Sequence, residues 1–395
     1  MTALYLDAAA TTAMRREALE AMWPYLTGEF GNPSSHHSLG ERAAAGLQEA
    51  RRSVARVLGC RASEVTFTSG GTECDNLAIK GLALANPRGR HLVTSGIEHE
   101  AVLESVDYLR RVHGFEVSTV PVDGAGVVTA DALRSVLRED TTLVSIALAN
   151  NEIGTVQDVA ALAEAAHAVG ALMHTDAVQA AGWLPLEVGR LGVDALSLSG
   201  HKVGAGKGIG AVFLRGRLPV EPVLHGGGQE RERRSGTENV AGAVAMGVAL
   251  SLAESEREAR VARVGAAMAD FTARVLELVP AAQLTGSPAA PPPGAGSIRD
   301  GSTAVGRLPN HASFCFPGVS GEAVLLELER RGVISSSGSA CAAGSDEPSH
   351  VLLACGIAPE VAQTSVRFTA GADVDAEGLA AAADLVAESV GALAG

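Results

Sequence analysis

The feature that most constrains this chain is a succession of short apolar runs, each long enough for a buried strand and each ending in polar residues. Runs of this kind fall at residues 65–68, 91–94, 116–120, 143–147, 172–175, 195–199 and 210–214. Helix-period segments separate most of them, which is the pattern of a mostly parallel α/β sheet covered by helices on both faces. Such sheets bind ligands outside the C-terminal ends of their strands. The most informative strand end is Val193-Asp194-Ala195-Leu196-Ser197-Leu198-Ser199-Gly200-His201-Lys202, where an apolar run stops abruptly at Ser-Gly-His-Lys. The chain has three lysines, Lys80, Lys202 and Lys207, so positive surface charge is left to arginine and a lysine after a strand stands out. Burial disfavours an ammonium group, which makes lysine a poor choice for a dry site unless its amine chemistry is used. A solvated loop lysine is the other reading.

Before the first run, residues 15–25 predict a helix, the loop Gly31-Asn32-Pro33-Ser34-Ser35-His36 follows, and Ser38 is placed as the cap of a long amphipathic helix ending near Gly59. From about residue 238 one long helical stretch is expected toward residue 278. Residues 288–309, with Pro291-Pro292-Pro293-Gly294 inside, have the composition of a mobile surface linker. Beyond it lies a smaller α+β pattern, with strands at 312–316 and 365–369 and helices at 321–331, 348–355 and 376–392.

A chain of 395 residues exceeds one ordinary core. The expected division is a large domain over 13–255 and a small one formed by 1–12 and 256–395. A formal net charge of -14 argues against nucleic acid or an anionic membrane as a direct partner. The longest nearly apolar run, 240–253, is too short to span a bilayer. The N-terminus lacks the basic and apolar regions of a secretory signal. The five cysteines are odd in number with no C-x-x-C pair, against both a disulfide framework and a closed zinc site. A cytoplasmic protein is the expectation.

Five constellations carry chemistry. Ser69-Gly70-Gly71-Thr72 turns from a strand into a helix N-terminus, where free amides and the Thr72 hydroxyl suit a phosphate; a plain tight turn is the alternative. Leu172-Met173-His174-Thr175-Asp176 ends an apolar strand in an acid that needs a cationic partner, such as a protonated pyridine nitrogen, or else serves as a helix cap. Gln179 lies near enough to donate to a ring oxygen. His99, in Ser95-Gly96-Ile97-Glu98-His99, can stack on a planar ring and shuttle protons, or be a satisfied structural histidine. Cys341 sits in a loop of small residues with no apolar neighbours to bury it, so it is the candidate reactive thiol. Arg367, inside Ser365-Val366-Arg367-Phe368-Thr369, either clamps a substrate carboxylate or forms a structural ion pair.

An amine, an acid for a pyridine nitrogen, a phosphate cup, a stacking histidine and a carboxylate clamp together describe a site for pyridoxal 5'-phosphate. Nearly the whole chain resembles the NifS-like cysteine desulfurases of the class V aminotransferases. The resemblance rests on Tyr5-Leu6-Asp7-x-x-Ala10-Thr11-Thr12, Gly31-Asn32-Pro33-Ser34-Ser35, Thr68-Ser69-Gly70-Gly71-Thr72-Glu73-x-Asp75-Asn76 and Asn150-Asn151-Glu152-Ile153-Gly154. It continues through Asp176-x-x-Gln179, Ser199-Gly200-His201-Lys202, Gly226-Gly227-Gly228-x-Glu230, Arg234-Ser235-Gly236-Thr237 and Ser336-Ser337-Gly338-Ser339-Ala340-Cys341.

The resemblance implies a fold-type I homodimer with the active site at the subunit interface. It implies that Lys202 carries the cofactor, Asp176 pairs with its pyridine nitrogen, Gln179 reaches its ring hydroxyl and His99 stacks on the ring. Gly71, Thr72, Ser199 and His201 would hold the phosphate, with Thr237 supplied by the partner subunit. Asn151 would contact the cofactor, and Asn32 and Arg367, with Asn151 beside them, would bind the substrate. The implied reaction takes sulfur from L-cysteine, leaves a persulfide on Cys341 and releases L-alanine, with Lys202 and His99 moving protons.

Sulfur would then pass to an acceptor protein, in iron–sulfur cluster assembly or in thiolation of tRNA or a cofactor. No stable metal site is expected, although a persulfide on Cys341 is a conceivable transient ligand to a nascent cluster. The long segment from Cys341 to Arg367 resembles the branch with the longer cysteine loop. Where the family often has Gly-Pro after the lysine, this chain has Val203-Gly204-Ala205-Gly206-Lys207. A selenocysteine lyase, another class V aminotransferase or a non-catalytic sulfur-transfer platform are the alternatives.

Overall fold

The computed structural model describes residues 3–86, 88–216, 218–288, 306–338 and 347–394. Cys341 and most of the proline-rich stretch lie outside the described residues. The chain enters through strand β1 (Leu4–Tyr5) and helices α1 (Arg16–Thr27) and α2 (Ser38–Leu58). Alternation begins with β2 (Val65–Thr68), α3 (Gly71–Ala85), β3 (His91–Ser95), α4 (Glu100–His113) and β4 (Glu116–Val120). It continues through α5 (Ala130–Val136), β5 (Thr141–Ser145), α6 (Val159–Ala168), β6 (Leu172–Asp176), α7 (Val188–Leu191), β7 (Ala195–Ser199) and β8 (Gly210–Leu214).

Strands β2 to β8 form one seven-stranded sheet in the order β2-β8-β7-β6-β5-β3-β4. Only β8 is reversed: it runs antiparallel to both β2 and β7, while the remaining neighbours are parallel. The other six strands therefore end on one edge, where an α/β sheet places its ligands. Side chains alternate between the two faces of a strand. Leu92, Leu143, Ala195 and Val212 pack toward α3 and α4, whereas Val93, Val144, Leu196 and Ala211 pack toward α2, α6 and the helix at 240–255. Both faces are covered, so the strands read as continuous apolar runs rather than alternating ones.

The C-terminal part contains α8 (Val240–Ser255), α9 (Arg257–Leu278), β9 (Gln283–Leu284), β10 (His311–Cys315), α10 (Gly321–Arg330) and β11 (Val333–Ile334). The chain closes with α11 (His350–Ala354), α12 (Pro359–Ala362), β12 (Ser365–Thr369) and α13 (Ala376–Ala394). A separate core forms here around Phe271, Phe314, Phe316 and Phe368. Phe271 and Phe368 meet edge to face at 5.2 Å. Leu6, from the N-terminus, is buried in this same core. No helix among the described residues is long and apolar enough to cross a membrane.

Two local expectations change. The stretch 238–278 is two helices, separated at Glu256. The break leaves carbonyls at the end of α8 without helical partners, and the buried Arg260 supplies one, donating to Ala253 O at 2.6 Å. Helix α2 is capped by His37 rather than Ser38, because the His37 ring Nδ1 accepts the Gly40 amide at 3.2 Å and Ser38 already lies within the helix.

Candidate active site

The strand ends converge on a cavity of about 430 Å³. After β7, Gly200–Lys202 form a single 3-10 turn that carries Lys202 to its wall. The Lys202 Nζ donates to the carbonyls of Ala9 and Ala10, the latter at 2.7 Å. The residues that replace Gly-Pro keep this turn closed: Ala205 N donates to Gly200 O at 3.0 Å, and Arg15 N to Gly204 O at 2.8 Å.

Strand β6 ends in Asp176, which lines the cavity and accepts the Val178 amide on Oδ1 at 2.8 Å. Burial pushes its carboxyl above the ordinary value, opposed by nearby His99 and Lys202. Gln179 Nε2 donates to Ala9 O at 3.0 Å, tying it to the same carbonyl as Lys202. After β3, His99 caps α4, its Nδ1 accepting the Ala101 amide at 3.0 Å. That bond puts the proton of a neutral ring on Nε2. The structural and functional readings of His99 are thus compatible, since only one ring nitrogen is used by the cap.

At the end of β2, Gly70 has φ 156 and precedes α3 with no side-chain cap. That conformation is open to glycine and strained for other residues. Gly71, Thr72, Ser199 and His201 all line the cavity. The His201 Nδ1 lies 3.1 Å from Thr11 Oγ1, and burial lowers its pKa to about 4, so the ring is neutral at pH 7. Arg367, buried on β12, pairs through Nη2 with Asp7 Oδ1 at 2.8 Å and through Nη1 with Asn151 O at 3.0 Å. Its Nε has no partner, so the ion pair leaves donor capacity at the cavity wall. Asn151 also lines the cavity. Asn32 and Thr237 do not: both are exposed, and Asn32 Oδ1 accepts the Ser34 amide at 2.9 Å.

The cavity wall also holds acids that the sequence reasoning did not single out. Asp75 is buried on α3 with no hydrogen bond to Oδ1 among the described residues, His174 Nε2 lies 3.7 Å away, and burial together with Asp176 raises its carboxyl well above the ordinary range. The available signal was its spacing, since Gly71 and Asp75 are four apart and share a helix face. Glu98 accepts Ser95 Oγ at 2.6 Å and the Ala147 amide at 2.9 Å, yet burial pushes it up to about 8. Among the described cysteines, burial raises Cys60 to about 12 and Cys315 and Cys355 to about 11, and Cys74 also rises. Thiols so shifted make poor nucleophiles at neutral pH.

A lysine, an acid and a histidine gathered at the strand ends of an α/β sheet define a cofactor-dependent enzyme. The class-V aminotransferase family model matches residues 4–381, and the chain belongs to that family. Relatives that it matches are named cysteine desulfurase. A cysteine desulfurase IscS of Dictyoglomus turgidum is 44% identical, covering 93% of this chain and 89% of the relative. A solved NifS-like protein superposes with a TM-score of 0.87 at 34% identity, over 98% of this chain and 99% of its own. A structure of SspA in complex with cysteine matches with a TM-score of 0.77 at 33% identity, over 93% of this chain and 98% of its own.

The family uses pyridoxal phosphate, and the residues present suit it. An uncapped helix start with Ser199 and neutral His201 supplies donors for an anion, Asp176 offers a half-buried acid and Lys202 an amine. Among the described residues, Asp75 Oδ1 and Arg367 Nε are buried polar atoms without a hydrogen-bond partner, although His174 Nε2 lies 3.7 Å from Asp75 Oδ1.

Proposed function

We propose that this protein is a cysteine desulfurase in which Cys341 takes the sulfur of L-cysteine and L-alanine is released. What supports the reading is the convergence of Lys202, Asp176 and His99 on one cavity whose wall includes Gly338, three residues before Cys341. Bound pyridoxal phosphate supplies an electron sink that makes the Cα–H bond of an amino acid breakable. Lys202 would hold the cofactor, the Asp176 carboxylate would face its ring nitrogen and Gln179 its ring hydroxyl. Gly71, Thr72, Ser199 and His201 would hold its phosphate through backbone and side-chain donors. His99 would stack on the ring and carry a proton on Nε2, while Asn151 and Arg367 at the cavity wall would bind the substrate carboxylate; Asn32, off that wall in a single chain, would have to reach it from elsewhere in the assembly. In the sulfur step the Cys341 thiolate attacks the substrate sulfur and the Cβ–S bond breaks. The bonding pair stays on Cβ, which takes a proton and becomes the methyl group of alanine. The sulfurs are oxidised to a persulfide as the carbon is reduced, so no other redox partner is required.

The reading includes a homodimer and a cytoplasmic location. Trp23, Leu26 and Phe30 are 62%, 54% and 67% exposed in a single chain, an apolar surface that a second copy would cover. Thr237, exposed in its own chain, is then available to the partner's cofactor. The persulfide sulfur passes to an acceptor protein, an iron–sulfur scaffold or a thiolation enzyme. The test is incubation with L-cysteine, following alanine, sulfide and the mass of the Cys341 peptide. A persulfide adduct and equimolar alanine are expected, and Cys341→Ala should lose both. Full turnover by that variant would overturn the assignment.

A further inference from the structure

Two chemically unrelated features of the cavity wall meet at one side chain, Glu152. Ser349 Oγ donates to Glu152 Oε2 at 2.5 Å, with Ser349 and Glu152 only 3% and 6% exposed. Ser349 also caps α11, accepting the Leu352 amide at 3.2 Å, so the bond fastens a helix start to the large sheet. On the other side, Glu152 packs against Gly338. A Cβ built on Gly338 would lie 3.0 Å from Glu152 Oε2 and 3.2 Å from its Cβ, tighter than nearly all real contacts. Glycine is favoured there by close approach rather than by backbone conformation, since any larger residue would push the Glu152 side chain aside by a few tenths of an ångström. Arg367 Nη1 reaches Gly338 O at 3.4 Å and Asn151 O at 3.0 Å, holding the pair together from the third side.

Glu152 itself is rigidly placed. The amides of Glu152 and Ile153 both donate to Asn150 Oδ1, at 2.8 and 3.0 Å, and Asn150 Nδ2 donates to Ile97 O at 2.7 Å. Ile97 is two residues before His99. Next to Ser349, His350 Nε2 lies 3.0 Å from Glu98 O, a second tie to the same turn.

We propose that Glu152 is a positioning residue that clamps Gly338 and Ser349, which lie on either side of Cys341 in sequence, against the turn that carries His99. The inference rests on the desulfurase reading and adds to it a residue that acts through Cys341 rather than on the substrate. Without Glu152, Gly338 keeps the long 3.4 Å bond from Arg367, and firm backbone pairing lies further upstream, where Ser336 and Arg367 exchange bonds at 3.2 and 2.7 Å. Misplacement of a reacting group by about 1 Å can cost up to about a hundredfold in rate.

The experiment compares holoenzyme of the wild type with Glu152→Ala, Glu152→Gln and Ser349→Ala. The readouts are cofactor absorbance, KM and kcat for alanine release, and the iodoacetamide alkylation rate of Cys341. For Glu152→Ala, unchanged cofactor content and KM are expected, with kcat at least about tenfold lower and Cys341 alkylation accelerated. Glu152→Gln, whose amide oxygen still accepts the Ser349 hydroxyl, should restore most of kcat, and adding Ser349→Ala to Glu152→Ala should cost little more. A Glu152→Ala enzyme with wild-type kcat overturns the proposal. So does loss of cofactor in that variant, or a Glu152→Gln enzyme as slow as the alanine variant. A wild-type protein that releases no alanine sinks the desulfurase reading, and an alkylation rate unchanged by Glu152→Ala then sinks the clamp separately.

Discussion

Replacing Glu230 by glutamine should destabilise this protein far more than a one-atom change suggests. Arg51, on α2, meets Glu230 in a two-bond fork, Nη1 to Oε2 at 2.6 Å and Nη2 to Oε1 at 2.7 Å, with side chains 3% and 2% exposed. The Phe67 amide donates to the same Oε2 at 3.0 Å, and the Arg51 guanidinium lies 5.0 Å from the Phe67 ring centroid. The pair also holds an uncommon backbone, since Glu230, Arg231 and Glu232 have φ of 49, 59 and 65. Glutamine has nearly the same shape, so the change isolates charge. It leaves the Arg51 cation buried opposite an amide, which costs about 3–5 kcal/mol. For 395 residues the entropy of unfolding is roughly 0.8 kcal/mol per degree, so the melting temperature should fall by about 4–6 °C. Calorimetry on the holoenzyme reads this directly. The double variant Arg51→Met, Glu230→Leu removes both charges and should recover much of the loss. A Glu230→Gln protein melting within about 1 °C of wild type would refute the reasoning. A double variant no better than the single would show that the Phe67 amide bond, not charge pairing, dominates.

Other expectations follow from the buried titrating groups. Glu98 is raised from 4.5 to about 8, so between those values the folded state holds a proton that the unfolded state has lost. Its contribution to stability is full below pH 4.5 and disappears as pH rises to 8, with a slope of up to about 1.4 kcal/mol per pH unit. Glu98→Gln should therefore gain on wild type steadily from pH 5 to 8 in urea titrations, and parallel profiles would contradict this. The thiols of Cys60, Cys315 and Cys355, pushed to between about 11 and 12, should alkylate slowly at pH 7.5. Mass spectrometry of the folded protein should find label on Cys341 well before any of them, and early label on one of the three would refute that ordering.

Much of the sheet was legible because both of its faces are covered. Full burial of β2, β3, β5, β7 and β8 produces the short apolar runs that mark them in the sequence. The reversal of β8 between β2 and β7 was not legible, because an apolar run carries no direction. The break at Glu256 escaped for a related reason: both flanking segments are good helix formers, and the interruption is stabilised by Arg260 reaching back to Ala253 O. That Lys202, Asp176 and His99 would share one cavity was legible from their types and positions at strand ends.

For Arg367 the sequence left two roles open, and the fold gives the guanidinium both an ion pair with Asp7 and a spare donor at the cavity. What the sequence alone determined is the layered architecture and the residues at its strand ends, because burial and local backbone preference act on neighbours within a few positions. What only the tertiary structure decided is which distant groups meet: Ala9 and Ala10 carbonyls on Lys202, Asp75 beside Asp176, Glu152 between Gly338 and Ser349. Those contacts join positions separated by as many as 197 residues. They exist because packing of separate elements closes the chain on itself, and no local pattern encodes the partner.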